Sequence, residues 1–345
     1  MSEFRITRRA ALAGAATLPL LSATARADDQ VVIGTWGGDY ANLLRDNVEI
    51  PLLKPKGITV VQDVGDEDPR FAKLMAQRHL PRGADDVMCM QGVLGHKAAE
   101  AGVLEMVDTT KIPNLVHVYP NMLAPGYIPH IYSLQVLIYN PDKIKEPPKT
   151  FTDLLDPKYK GKVGLGDGNY LYVMMAAALA ATGDASKMDD PATQKLASQL
   201  NDNGLRLYPS TDSIGAGIKS GEIDVGVMWL ARVIMWQNAG IPVAASFPTE
   251  GSVLYVSGMV IPKNAPNKAG AYAYINAMLD PSAQTKFAER MGYLPTVNDD
   301  PLTGKIGEQL ALPTPAPKMF VPDYAAVATK QSDIAEWWKK NIQHA

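Results

Sequence analysis

Pro125-Gly126-Tyr127-Ile128-Pro129-His130-Ile131-Tyr132-Ser133-Leu134-Gln135-Val136-Leu137-Ile138-Tyr139-Asn140 reads as one long extended run, rich in aromatic and β-branched residues. It is too long for a compact βα unit, so it reads as a strand that connects two parts of the chain. A second extended run occupies residues 252–261. Two such runs, separated by well over a hundred residues, predict that the chain leaves one lobe near Tyr132 and returns to it near Ser257.

Each side of these runs alternates strand and helix. Upstream, the apolar start of Gln30-Val31-Val32-Ile33 enters the turn Trp36-Gly37-Gly38, and residues 40–48 have a helical pattern. Residues 57–61 read as a second strand, 70–77 as a helix, 85–90 as a buried strand, and 96–101 as a helix ended by Gly102. This β-α-β opening is the signature of a parallel sheet covered by helices. Between the runs the pattern recurs. Strands are expected at 162–165, 205–208, 225–229 and 242–247, and helices at 170–181, 210–219 and from about 231. Helices over 266–279, 282–291 and 333–342 follow. The expected fold is α/β with two lobes, each a mainly parallel sheet flanked by helices, joined by two crossing strands as a hinge. Lobe one is residues 28–131 plus 257–300, lobe two is 132–256, and 301–345 is a helical segment packed on lobe two. In such folds a ligand sits in the crevice beyond the carboxyl ends of the strands.

The first residues are of another kind. Arg5, Arg8 and Arg9 precede an apolar stretch over 10–21, and Ala25-Arg26-Ala27 is a small-residue cleavage pattern before Asp28-Asp29. The stretch is too short to span a bilayer as a helix. Arg8-Arg9 after Thr7 resembles a twin-arginine signal. We therefore expect residues 1–27 to be an export signal cleaved after Ala27, and the mature chain to be free in the periplasm. Arg5, Arg8, Arg9 and Arg26 against Glu3 give this segment a charge of +3, so cleavage takes the formal net charge from −3 to −6. An acidic chain of this kind argues against nucleic-acid binding. The lone cysteine, Cys89, lies within Val87-Met88-Cys89-Met90 and reads as a buried strand residue. His79, His96, His117, His130 and His344 lack ligand spacing, so no metal is expected, and no cofactor. Without a Gly-x-Ser-x-Gly elbow, a metal cluster or a paired acid–base motif, an enzyme is not expected.

Several stretches carry a family resemblance. Lys149-Thr150-Phe151-Thr152-Asp153-Leu154-Leu155-Asp156-Pro157-Lys158-Tyr159-Lys160-Gly161-Lys162-Val163 resembles the extracellular solute-binding proteins of ABC importers. Ser220-Gly221-Glu222-Ile223-Asp224-Val225-Gly226, Val256-Ser257-Gly258-Met259-Val260-Ile261-Pro262-Lys263 and Gly292-Tyr293-Leu294-Pro295-Thr296 fit the same family. The branch it is most similar to is the spermidine/putrescine-binding proteins, of type II two-lobe fold. The resemblance implies a monomer that captures a small solute and hands it to an ABC permease and its ATPase. It also implies an aromatic and an acid at the return crossing. Tyr255 and Ser257 stand there, so the aromatic is kept and the carboxylate is absent, which argues against a polyamine. Asp167 falls at an acidic ligand position of the family, and the next such position falls near Tyr170. Related ferric-iron binders use adjacent tyrosines, whereas Tyr170 and Tyr172 are two apart on a helix.

Strand ends and unusual residues give the remaining candidates. Trp36, Gly37 and Gly38 close the first strand, where glycine lets backbone N–H groups approach a ligand. Tyr40 follows them. Gln91 ends the strand after Cys89, and Tyr132 lies on the first crossing run. Trp229 ends another buried strand. Arg232 sits in an apolar stretch, and its fork suits a carboxylate or phosphonate. One Asp, one Arg and several aromatics lead us to expect an amino-acid derivative or an aminophosphonate-like zwitterion, with a polyamine as the alternative. An exported hydrolase or a receptor-coupled sensor are the alternative classes.

Overall fold

The computed structural model describes residues 30–299 and 301–344. The expected export segment, 1–27, and its cleavage point lie outside the described residues.

Strands β1 (Gln30–Thr35), β2 (Thr59–Val64) and β3 (Val87–Gln91) are parallel, with β1 in the middle. Helix α1 (Asp39–Leu44), which runs on as a π-helical stretch over Arg45–Leu53, and helix α2 (Glu67–Gln77) connect them, and α3 (Gly92–Glu100) follows β3. The long run is β4 (Ile128–Tyr139), and eleven of its twelve residues are buried, as in a strand covered on both faces. Next come β5 (Val163–Gly166), α4 (Tyr170–Thr182), α5 (Pro191–Asp202), β6 (Arg206–Tyr208), α6 (Thr211–Ser220), β7 (Val225–Trp229) and α7 (Leu230–Asn238). β5 is parallel to both β6 and β7. The short β8 (Ala244–Ser246) leads into the second long run, β9 (Ser252–Val260). Helices α8 (Lys268–Met278) and α9 (Pro281–Met291), strand β10 (Leu294–Pro295), helix α10 (Gly304–Leu310), strand β11 (Met319–Phe320) and helix α11 (Tyr324–Trp338) complete the chain.

The two long runs stitch the parallel sets into one sheet of order β2-β1-β3-β9-β4-β7-β5-β6. β9 is antiparallel to β3, with Gln91 opposite Ser257, and to β4, with Ser133 opposite Tyr255. β4 changes partner along its length. Through Leu134 it pairs with β9; from Gln135 it pairs with β7, Gln135 opposite Trp229. The consequence is that the carboxyl ends of β1, β3, β5 and β7 converge beside the two crossing strands.

Local chemistry explains the boundaries. Ser210 and Ser213 form a capping box at the start of α6, and Asp190, followed by Pro191, caps α5. Gly183, Gly221 and Gly292 end α4, α6 and α9 in the left-handed conformation. α4 has no polar face because the sheet, α5 and α11 cover it on all sides. One apolar core, including Ile33, Leu44, Tyr274 and Phe287, lies on one face of the first parallel set. The other runs from Met88 and Met90 through Leu134 and Trp229 to Trp338 of α11.

Several elements differ from the reading of the sequence, which gives no helix over Pro191–Asp202 and starts α2 at residue 70 rather than at Glu67. α3 begins at Gly92, directly after β3, rather than at residue 96. The helix expected over 40–48 becomes π-helical from Arg45 and continues through Pro51. The last helix starts at Tyr324, nine residues earlier than expected, because a buried Val327 continues the stripe of Ile334 and Trp338. α11 packs on α3 as well as on α4. Among the described residues no helix is long and apolar enough to cross a membrane.

Candidate functional site

A cavity of 810 Å³ opens where the strand ends converge, within the range of small-molecule sites. The first parallel set contributes Trp36 after β1, Asp66 and Glu67 at the start of α2, and Gln91 at the end of β3. The second contributes Asn169, Tyr170 and Tyr172 around the start of α4, Thr211 on α6, and Trp229 and Arg232 at the β7–α7 junction. Tyr255 of β9, Tyr293 after α9 and Gln331 of α11 complete the wall.

Aromatic rings form its continuous part. Trp229 meets Tyr172 edge-on at 4.6 Å between centroids, and Tyr255 lies 5.4 Å from Trp229 and 5.9 Å from Tyr293. Such a wall suits methylene groups or a cation over a ring face. The hydroxyl of Tyr172 is buried and has no hydrogen-bond partner among the described residues, so it is free to meet a polar group of a solute.

Two opposite charges enter this wall from opposite halves of the sheet. Glu67 is half-buried; its Oε1 accepts the Gln91 N–H at 2.5 Å. Burial pushes its carboxyl up to about 7, against the pull of that N–H and of Arg70, while Asp68 adds to the rise. Arg232 is also half-buried, and among the described residues its one close polar contact is to Sδ of Met235 at 3.6 Å. None of the ion pairs among the described residues includes Arg232. A half-buried guanidinium with no carboxylate partner among the described residues is available to an anionic group. Among the described residues no cluster of His, Cys, Asp or Glu is placed to hold a metal ion.

Of the candidates named from the sequence, Trp36, Gln91, Tyr170, Trp229, Arg232 and Tyr255 line this cavity. The other six do not. Gly37 and Gly38 are exposed in the turn that enters α1, where Gly38 has φ +64°. Tyr40 is buried in the core with its hydroxyl 3.0 Å from Nδ1 of His130, whose own ring burial lowers to a pKa of about 3. Tyr132 is buried with its ring against Tyr119. Ser257 is fully buried within β9. Asp167 turns to the C-terminal segment. It accepts from Nε1 of Trp338 at 2.9 Å and, through both oxygens, from Nε2 of Gln343 at 2.8 and 2.7 Å.

Sequence reasoning missed Asp66, Glu67, Thr211, Tyr293 and Gln331. The run Asp66-Glu67-Asp68-Pro69 was available as a signal, since it lies between the strand expected over 57–61 and the helix expected over 70–77. Tyr172 is not among those candidates either, and residues two apart on a helix diverge by about 200°. It lines the cavity with Tyr170 because the 3₁₀ turn Asp167–Asn169 runs into α4 and the cavity wraps around that end.

Comparisons with known proteins agree with this architecture. The family model described as bacterial extracellular solute-binding protein matches residues 54–314. The chain is similar to the spermidine/putrescine-binding periplasmic protein 1 of Haemophilus influenzae, 30% identical over 290 residues, which is 80% of this chain and 77% of that one. Among solved structures, an ABC transporter protein from Clostridium perfringens is similar with a TM-score of 0.79 and 22% identity, covering 90% of this chain and 99% of that one. A GABA receptor is similar with a TM-score of 0.79 and 23% identity, covering 92% and 98%. These likenesses establish the type II periplasmic-binding-protein fold. With a family model over most of its length, this chain belongs to the bacterial extracellular solute-binding proteins, a family of binders and not of enzymes.

Proposed function

We propose that the protein captures a small zwitterion, an amino-acid derivative or aminophosphonate-like solute, and delivers it to an ABC permease and its ATPase. One observation carries the reading. Arg232, a cation with no ion-pair partner among the described residues, shares an aromatic-walled cavity with the half-buried carboxyl of Glu67. A solute amine at Glu67 and an acidic group at Arg232 would join the two halves of the sheet, with its carbon chain against Trp229 and Tyr255. The lobes would be residues 28–131 plus 257–300 and residues 132–256, closing about β4 and β9, and solute would select the closed form. We further propose that the chain is a periplasmic monomer, exported by the twin-arginine route and cleaved after Ala27.

A polyamine is the second reading. The Haemophilus influenzae relative is named for spermidine and putrescine, and Asp66 and Glu67 supply two carboxyl groups to one end of the cavity. The unpaired Arg232 weighs against it, because a dication would place like charge beside it.

Thermal unfolding of the mature protein against amino acids, opines, phosphonates, organic acids, sugars and polyamines tests the proposal. Solute at a hundred times its dissociation constant adds about 2.7 kcal/mol to stability. A shift with zwitterions that Arg232→Ala abolishes supports the proposal. A shift confined to polyamines supports the second reading, and no shift with any solute contradicts both.

A further inference from the structure

Arg70 lies behind the cavity wall and does not touch the cavity. It projects from α2, one helical turn after Glu67, and is only 4% exposed. Its Nη1 donates to the carbonyl of Thr35 at 3.0 Å and to that of Gly65, and its Nη2 donates to the carbonyl of Cys89 at 2.9 Å. Those carbonyls lie at the end of β1, just beyond β2, and near the end of β3. One guanidinium therefore ties together three neighbouring strand ends. Its carbon also sits 4.9 Å from the ring centroid of Trp36, which lines the cavity. The stem is fitted closely: a Cβ at Gly34 of β1 would come within 3.1 Å of Arg70 Cδ.

None of the ion pairs among the described residues includes Arg70, and its Nε has no partner among them. A buried cation without a carboxylate is costly to a fold. An apolar residue would fill the space at lower cost if packing were its only task. What the guanidinium adds is three fixed carbonyls, one fixed indole and a positive charge near Glu67.

We infer that Arg70 is a positioning residue for solute capture, which locks the ends of the first parallel set and the ring of Trp36 into one surface and stands as the fixed positive charge behind Glu67. The inference rests on the reading of Glu67 as the acceptor of a solute amine. The groups that face Glu67 are Asp68 and Arg70 on its own helix, Asp66 at the N-cap of that helix, the Gln91 N–H and the Cys89 thiol of β3, the phenols of Tyr127, Tyr172 and Tyr255, and Arg232 across the cavity. Of these, Arg70 and the Gln91 N–H favour the ionised carboxylate, and Asp68 opposes it.

The test compares wild type with Arg70→Met, Arg70→Lys and Glu67→Gln. The Glu67 carboxyl is titrated by carbon-13 NMR, its signal assigned by its loss in Glu67→Gln. Binding of GABA and of putrescine is followed by tryptophan fluorescence. In folded Arg70→Met the Glu67 midpoint should rise by about one pH unit, and binding of whichever probe the wild type takes should fall about fivefold at pH 7 and recover as pH rises. Arg70→Lys keeps a charge without the fork, so it should hold the midpoint near wild type while altering the Trp36 signal and weakening binding. A folded Arg70→Met with unchanged midpoint and affinity overturns the inference. If Arg70→Met does not fold, an Arg70→Lys protein that binds and fluoresces as wild type overturns it instead. Unchanged binding in Glu67→Gln sinks the reading of Glu67, and the NMR midpoint in Arg70→Met then still decides whether Arg70 governs that carboxyl.

Discussion

Nε1 of Trp338 donates a hydrogen bond to Oδ1 of Asp167 at 2.9 Å, tying the last helix to the turn that opens α4. The Trp338 ring also lies 6.4 Å from that of Tyr170, and Gln343 bridges both oxygens of the same carboxylate. Toward its other end α11 grips the first half of the molecule. Tyr324 packs so closely on Gly92 that a Cβ there would come within 2.1 Å of its ring, and Gln331 accepts from Lys97 at 2.5 Å. α11 lies beyond residue 314, where the match to the family model stops, yet it spans both halves and puts Gln331 in the cavity.

From this contact we predict that Asp167 holds the C-terminal helix rather than solute. Asp167→Ala removes acceptors from two side chains at a partly exposed position and should cost about 1–2 kcal/mol. Thermal unfolding should register that loss while solute affinity stays within about threefold. A large loss of affinity with unchanged stability would place Asp167 in the binding site after all.

The raised pKa of Glu67 gives two opposite pH effects. Without solute, the folded protein keeps a proton on Glu67 up to about 7, whereas the unfolded chain loses it near the ordinary value of 4.5. In that interval the folded state binds more protons, so Glu67 makes stability fall as pH rises from about 4.5 to about 7. Amine binding runs the other way, because it needs the carboxylate, and should strengthen as pH rises through about 7. Glu67→Gln should flatten both curves; unfolding and binding measured between pH 5 and 8 check this.

Arg232 should cost the empty protein little. With no ion pair to lose among the described residues, Arg232→Gln should change unfolding stability by no more than about 0.5 kcal/mol. The same substitution should weaken binding of a solute carboxylate by roughly 1.5–3 kcal/mol, the worth of a charged hydrogen bond. A variant that unfolds much more easily would mean that Arg232 is structural.

Gly258 should prove irreplaceable at the crossing. A Cβ there would lie 2.4 Å from the carbonyl oxygen of Ile128 and 2.6 Å from the Tyr127 ring. A backbone atom cannot swing aside as a side-chain end can, so Gly258→Ala must shift β4 from β9 and should cost about 1–3 kcal/mol. Chemical denaturation measures that cost directly.

The fold was legible where apolar runs end sharply at glycine, proline or a cap. β3, β4, β9 and α4 lie close to where their residues place them, because burial on all sides leaves no polar face to blur the pattern. α11 was half-read, since its first turns, Tyr324-Ala325-Ala326-Val327-Ala328, carry mostly small alanines and only Val327 there is buried. The site was legible at strand ends, which is why Trp36, Gln91 and Trp229 line the cavity. It was not legible where tertiary contacts decide a side chain's partner. Nothing near Asp167 in sequence reveals that Trp338 and Gln343, some 170 positions on, take its oxygens. Nor does the stretch around Gln331 reveal that α11 crosses the cavity.

The most direct test of the central claim is calorimetric titration of wild type, Glu67→Gln and Arg232→Gln with three four-carbon probes: GABA, putrescine and succinate. They share a four-carbon backbone and differ in whether each end carries an ammonium or a carboxylate, with four, three and two methylenes in putrescine, GABA and succinate. A cavity that holds Glu67 and an unpaired Arg232 should bind GABA most tightly, and each substitution should weaken it. Putrescine binding most tightly, and more tightly still in Arg232→Gln, would contradict the zwitterion account and establish a dication site.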